Sequence, residues 1–530
     1  MSTDTGDREL SEFGYTNQLK RTLGSFHTFA AGISYISVLT GVFQLSYLGI
    51  SQGGPAYWWS WPMVFAGQLM VALSFAELAA HYPVAGSVYN WAKLLTLGSN
   101  PRPQPGGKPP GPPKNSPLAW LAGWMMLLAS IVSISATALA YQRTLPQIAS
   151  FFQFIGDGSG TSDAANGVLL ATVLIVFTTL VNAFGVKLMA RINSAGVFIE
   201  LLFAVLLIVF LAFHFVRGPE VVTETNGTGA QHAGGYLGAF LIAAIASSYV
   251  MYGFDTAASL GEESVDPHRN APKAILRALI ASFLLGGLII LFALMAVGNI
   301  QAPELGTIGL QFVLTDALGP AIGRIFLFVV FVAITVCVLA VHTAAIRIAF
   351  AMARDNALPG GSKLAKVNKK TGTPVLPAIV IGLIAIVLLL VNINSSQIFS
   401  AVTSLAIILI YLAYLLVTVP LLIKRIRGEW PRKDAPKGRF SLGKWGLPVN
   451  VLAVLWGVAM LINLAWPRNE IYNATPPYHW YLQWISVLFV AVFGGGGFAY
   501  YWFVQRHKIG VLADHAAHAA GSTPDKEASQ

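Results

Sequence analysis

Apolar residues in this chain run in long blocks instead of recurring at the spacing of a half-buried helix or strand. Twelve blocks lie at about residues 26–50, 58–80, 118–147, 166–185, 192–216, 238–260, 274–298, 320–353, 375–392, 397–424, 447–466 and 481–504. Each is about the length, roughly 20 residues, that carries a helix across the hydrocarbon core of a bilayer. The pattern predicts an all-α integral membrane protein of twelve transmembrane helices. Near residues 40 and 253 the first and sixth blocks are interrupted by glycine. Unpaired backbone N–H and C=O groups cost several kcal/mol in lipid, so a break at mid-depth lines a protected cavity. That arrangement points to a transporter.

The two interruptions are about 213 residues apart, which makes spans 1 and 6 the openings of two five-span repeats, about 26–216 and 238–424. Two further helices, over 447–504, are appended. Five is odd, so the second repeat starts from the opposite side and the repeats are inverted, as in many secondary transporters. One transmembrane domain is expected over 18–508, between a cytoplasmic N-tail at 1–17 and a disordered cytoplasmic C-tail at 509–530. His515 and His518 in that tail could share a helix face and hold a metal, but an ordinary tail is the plainer reading. No metal or cofactor is expected.

Composition agrees: 55% of the 530 residues are hydrophobic and 11% charged, against roughly 25% charged in a soluble domain. The net charge of +10 does not indicate nucleic acid, because of where the basic residues fall. With the N-terminus inside, only Arg143, Arg217, Arg324 and Arg468 lie in or beside outer loops, leaving 29 of the 33 Lys and Arg residues inside. This positive-inside pattern places both termini in the cytoplasm, in a plasma membrane or a bacterial inner membrane. The first 25 residues are polar and no cleavage site follows, so no signal peptide is expected. A single cysteine, Cys337, excludes an intramolecular disulfide.

The breaks carry the candidate chemistry. In Ser37-Val38-Leu39-Thr40-Gly41-Val42-Phe43, Gly41 can adopt positive φ, and Ser37 and Thr40 can satisfy freed backbone groups. The amides of Thr40, Gly41 and Val42 would form the positive end of a half-helix, suited to a substrate carboxylate. Close helix packing is the competing reading of Gly41. In Tyr249-Val250-Met251-Tyr252-Gly253-Phe254-Asp255-Thr256, carbonyls at Tyr249, Val250 and Tyr252 would accept from a substrate ammonium. The rings of Tyr249, Tyr252 and Phe254 would wall the site, with a cation over a ring face, although packing explains each ring separately as well. An acid near the bilayer centre costs at least ~2.5 kcal/mol on insertion scales, so Asp255 faces a cavity or a partner. It is either an ammonium partner or a structural acid that holds the unwound turn.

Glu200 lies in span 5, about 12 Å along the helix from Ile192 by the 1.5 Å rise. It is the first candidate for proton coupling, the alternative being a permanent pair with a cation such as Arg347 in span 8. His214 and His342 are weaker candidates, since a lone helical His is more often packed or hydrogen-bonded. Glu77, closing span 2, anchors the following loop on the simplest reading.

These residues carry a family resemblance. Gly53-Gly54-Pro55, Glu77-Leu78-Ala79, the run Tyr82 to Trp91, Asn182 to Lys187, Gly253-Phe254-Asp255, Glu262-Glu263 with Asn270-Ala271-Pro272, and Ala353 to Pro359 resemble the amino acid–polyamine–organocation superfamily. They look most like its amino acid/choline transporter branch. The resemblance spans about residues 20–425 and implies a LeuT-type 5+5 inverted-repeat fold with discontinuous helices 1 and 6. It also implies an amino acid or related amine held between the unwound parts. In related permeases a span 5 lysine often replaces a sodium site, and Glu200 fills that place here. Related sodium-dependent members have a hydroxyl pair before the arginine of span 8. Here Ala345 and Ile346 precede Arg347, and Thr343 alone is a poor substitute, which favours protons over sodium, with exchange a third possibility.

A membrane enzyme would need clustered catalytic groups, and no H-E-x-x-H, G-x-S-x-G or P-loop pattern is present. A channel would show no saturation of flux, and a transporter-like sensor would bind without counterflow. Choline, a polyamine or a GABA-type amine would lean on Asp255 and the aromatic residues, whereas a zwitterion suits the amide and carbonyl ends.

Overall fold

The computed structural model describes residues 15–16, 19, 23–96, 116–158, 160–232, 234–390, 398–431, 438–473 and 478–515. Span 1 is two helices, α1 (Ser25–Ile36) and α2 (Val38–Gly53). Span 2 is α3 (Ser60–His81), followed by the short α4 (Ser87–Thr96). Spans 3 to 5 begin with α5 (Pro117–Ala138) and continue as α6 (Gly160–Phe184) and α7 (Val186–Ala212). Span 6 opens as α8 (Gly235–Val250) and resumes after a break as one turn, Thr256–Ser259. Then come α9 (Pro267–Ala296), α10 (Leu310–Arg354), α11 (Val375–Leu389), α12 (Ile398–Ile426), α13 (Gly446–Ala465) and a final helix over Ile485–Gln505. Within α10, Gly319 has non-helical φ 78° and ψ 162°. Pro320 follows, with its fixed φ and missing N–H suited to a helix start, so span 8 proper begins where the apolar block does.

All twelve blocks carry helix, yet length and apolarity alone qualify ten among the described residues, or eleven if Pro219–Ala230 and Gly235–Val250, bent by 112°, count as one span. Span 6 falls short because it is broken, and α11 because it is 15 residues long.

The helices face lipid with apolar rows and keep their polar groups inside. On α7, Phe198, Leu202, Val205 and Val209 point outward at three- and four-residue steps, while Glu200 is 3% exposed. A row this apolar is a liability in water and costs nothing in hydrocarbon. Inside the bundle α1 packs on α7 and α9, α2 on α8, and α12 on α5. These pairings bring both breaks to the middle of the protein.

Candidate functional site

The first break is at Ser37, one turn before the expected Thr40–Gly41. Ser37 has φ 38° and ψ 91°, and helix resumes at Val38. Its hydroxyl lies 2.6 Å from Thr40 Oγ1 and donates to Glu200 Oε1 (3.0 Å), and the Leu39 amide donates to the same carboxylate oxygen at 3.1 Å. Glu200 from span 5 therefore caps the first turn of α2, where helix amides lack internal partners. The Gly41 amide is not free: it donates to the Ser37 carbonyl at 2.9 Å, and Val42 lies within the helix. A Cβ on Gly41 would come 2.7 Å from Val250 Cγ2, so Gly41 serves the close approach of α2 and α8.

The second break spans Met251–Asp255, with Gly253 at φ 86° as expected. Any Cβ there would lie 1.9 Å from the Tyr35 ring. The Gly253 amide donates to Tyr414 Oη at 2.9 Å, and Tyr414 Oη donates in turn to Asp255 Oδ1 at 2.6 Å. Ser87 Oγ donates to Asp255 Oδ2 at 2.8 Å. Both oxygens of Asp255 are thus engaged by the protein, in a residue with no exposed surface. The geometry matches the structural acid of the two roles weighed for it. Phe254 packs beside Phe75 and Tyr414 with ring centroids at 6.2 and 5.5 Å, and does not wall the cavity.

Between the breaks is a cavity of ≈ 10 Å³, room for about one water. Span 1 contributes Tyr35, Ile36, Thr40 and Gly41, span 3 Ser133 and Thr137, span 6 Tyr249 and Tyr252, and span 8 Cys337 and Val341. Of the expected residues Thr40, Gly41, Tyr249 and Tyr252 line it. Ser37 turns to Glu200, Val250 packs on Gly41, and Gly253 lies against Tyr35. The α2 N-terminus brings partial positive charge and the α8 C-terminus, ending at Tyr249 and Val250, partial negative charge, an arrangement complementary to a zwitterion. Tyr249 Oη donates to Gln44 Oε1 (3.0 Å), so the 3.1 Å contact with Thr137 has Thr137 as donor. Cys337 Sγ donates to the Tyr35 carbonyl at 3.4 Å. Spans 3 and 8 were missed in the sequence, where isolated hydroxyls in apolar helices carry no sign of which face they share.

Residues 23–493 match the amino acid permease family. The chain belongs to that family. Amino-acid permease BAT1 of Arabidopsis thaliana is 28% identical, across 89% of this chain and 92% of its own. The BAT1 homolog of Oryza sativa subsp. japonica is 29% identical, across 89% and 91%. A solved structure, MhsT in complex with L-phenylalanine, superposes with TM-score 0.54 at 16% identity, covering 84% of this chain and 98% of that one. The likeness is of fold, and gives the permease the LeuT-type architecture that the family resemblance implied.

A second cluster lies where residues 15–16 and 510–515 meet, and gathers three of the motifs that carried the family resemblance, the run Tyr82 to Trp91, Glu262-Glu263 and Ala353 to Pro359. Arg347 grips Glu263 through Nε and Nη2 at 2.7 and 3.1 Å, so it is not the partner of Glu200. Arg354 pairs with Glu262 at 2.9 Å, and Lys93 with Asp355 at 2.5 Å. Tyr15, expected in a tail, is buried here: its hydroxyl donates to Asp355 at 3.0 Å, and the Arg354 guanidinium lies 3.7 Å over its ring. Residues expected in a disordered C-tail are bound as well, with Gly510 and Leu512 amides on the Asp355 and Arg354 carbonyls and Thr16 N–H on His515 O. His515 packs on Phe350, and His518 lies outside the described residues. At the opposite face, a depression of ≈ 620 Å³ is lined by residues including Tyr47, Arg143, Asp163 and Thr307.

The remaining candidates are structural. Glu77 is fully buried and holds Arg425, Trp430 Nε1 (3.0 Å), Ser441 Oγ (2.9 Å) and the Leu442 amide (3.0 Å), anchoring the segment after span 10. His342 bridges Thr178 and the Ala378 carbonyl, and His214 contacts the Phe210 carbonyl. Thr343 donates to Asn182 Oδ1 and the Leu339 carbonyl.

Proposed function

We propose that this permease is a secondary active transporter that moves an amino acid across the plasma membrane by alternating access, coupled to protons through Glu200. The observation that carries the reading is a helix N-terminus and a helix C-terminus meeting at one small cavity, with a carboxylate already seated on the first. A substrate carboxylate drawn to the α2 amides meets Glu200. Two ionised carboxylates at one helix end repel, so the solute binds with Glu200 protonated and the proton moves with it. Protons are further favoured over sodium because Ala345 and Ile346, just before Arg347 in span 8, carry no side-chain oxygen to coordinate it. In this reading the cluster at the chain ends is the cytoplasmic gate, shut by the Lys93, Arg347 and Arg354 ion pairs.

The test is a panel of radiolabelled solutes in proteoliposomes, with and without proton and sodium gradients. A proton gradient should drive accumulation of at least one amino acid. Glu200→Gln should abolish the pH dependence of uptake while counterflow exchange stays measurable. An unchanged pH profile in that variant would remove Glu200 from coupling, and accumulation driven by sodium alone would replace the ion.

A further inference from the structure

The cavity wall permits a narrower statement about the solute, resting on the transport reading above. None of the ten residues that line it is Asp, Glu, Lys, Arg or His. Asp255, the nearest acid in sequence to the break, has each oxygen bonded to a hydroxyl of the protein. An unpaired ammonium or quaternary amine would therefore find no counter-charge among the residues that line the cavity, the adjacent Glu200 being protonated under the coupling proposed above, and desolvating it there is unfavourable. A zwitterion's two charges are met by the two helix ends, which leaves its side chain to the rest of the wall.

That wall is polar but mostly spent. Thr137 donates to Tyr249, and Cys337 donates to the Tyr35 carbonyl. Among the fully buried hydroxyls of the wall, Tyr35 Oη and Ser133 Oγ are without a hydrogen bond of normal geometry, in a group with Ser130 and Tyr252. Native proteins seldom leave such groups unpaired, because each carries a desolvation penalty that a partner removes. Ser133 and Thr137 are one helical turn apart and share the face of span 3 turned to the cavity. We propose that this site, widened beyond its present single-water volume as the transporter opens, takes a neutral amino acid whose side chain bears a hydroxyl or amide, read by Tyr35 and Ser133. A site that hydrogen-bonds its ligand discriminates strongly against isosteres that lack the group, since its own polar atoms are then left buried and unpaired.

Threonine and valine are near-isosteric and differ in that group. In proteoliposomes, counterflow of radiolabelled threonine should be inhibited by unlabelled threonine or serine at concentrations at least about tenfold below those needed for valine or alanine. Lysine and choline should not compete. Ser133→Ala and Tyr35→Phe should each bring the threonine-to-valine ratio towards one. Equal competition by threonine and valine in the unaltered protein would overturn the proposal, and would mean that water satisfies these hydroxyls. Competition by lysine or choline at threonine's concentration would overturn it too. Failure of every amino acid to exchange would instead defeat the transport reading itself.

Discussion

Replacing Asp255 separates its two candidate roles, because the structure ranks the substitutions in advance. In Asp255→Asn the remaining Oδ can stay on Tyr414, and the new amide N–H₂ can face Ser87, whose hydroxyl has a second partner, Ser259, at 2.8 Å. The loss should be below about 1 kcal/mol, a hydrogen bond rearranged rather than broken. Asp255→Ala strands the Tyr414 hydroxyl proton in a buried site, which costs about 1–3 kcal/mol. Tyr414→Phe strands more, the Gly253 amide and one Asp255 oxygen together, and should cost about 2–6 kcal/mol as the sum of two such groups. Thermal unfolding in detergent should therefore rank Asn, then Ala, then Phe in order of increasing destabilisation. Transport should fall in the same order and by the same factor for every solute carried. Should Asp255→Asn abolish uptake of a cationic solute while sparing a neutral one, the carboxylate would be a ligand, and the structural role argued here would be wrong.

Two further outcomes follow from contacts at the helix breaks and the gate. Gly41→Ala places a methyl 2.7 Å from Val250 and should destabilise by about 1–3 kcal/mol, the usual cost of overpacking. Val250→Ala in the same chain should restore most of the melting temperature, and an unaltered melt for the single variant would deny the close approach of α2 and α8. Tyr15→Ala removes hydroxyl bonds to Asp355 and from Lys93 and a guanidinium–ring contact from the proposed gate, together at least about 1–2 kcal/mol, which should speed its opening about tenfold or more. The sole cysteine, Cys337, lines the cavity, so its labelling by an impermeant thiol reagent applied from the face bearing the chain ends measures that opening. An unchanged labelling rate would release Tyr15 from the gate.

How far the sequence could be read turns on particular residues. Apolar block lengths disclosed the spans because lipid permits little else. Gly253 was readable as a break and is one. Gly41 was not, because a glycine in a lipid-buried helix serves a break or a close contact equally well in the sequence. Only Val250, more than 200 positions away, decides between them. The actual break falls on Ser37, a residue whose positive φ is uncommon outside glycine and is held here by its bond to Glu200. Charge pairing was equally hidden. Arg347 was within reach of several acids by span order, and the chain's return at Glu263 gives it the fitting one.

The two breaks are held by one device with its chemistry exchanged. In each repeat the fifth span clamps the break in the first: α7 through Glu200 onto Ser37 and Leu39, and α12 through Tyr414 onto Gly253 and Asp255. In the first repeat the acid sits on the clamping helix and the hydroxyl on the break. In the second the hydroxyl clamps and the acid belongs to the break. The exchange matters because only Glu200 directs its carboxylate at helix amides that a solute carboxylate would also seek. Asp255 is oriented by two hydroxyls, one on each oxygen. Under the proposed coupling, protonation therefore loosens the span 1 clamp and leaves the span 6 clamp intact. One half-helix is then free to follow the solute while the other keeps the register of the site.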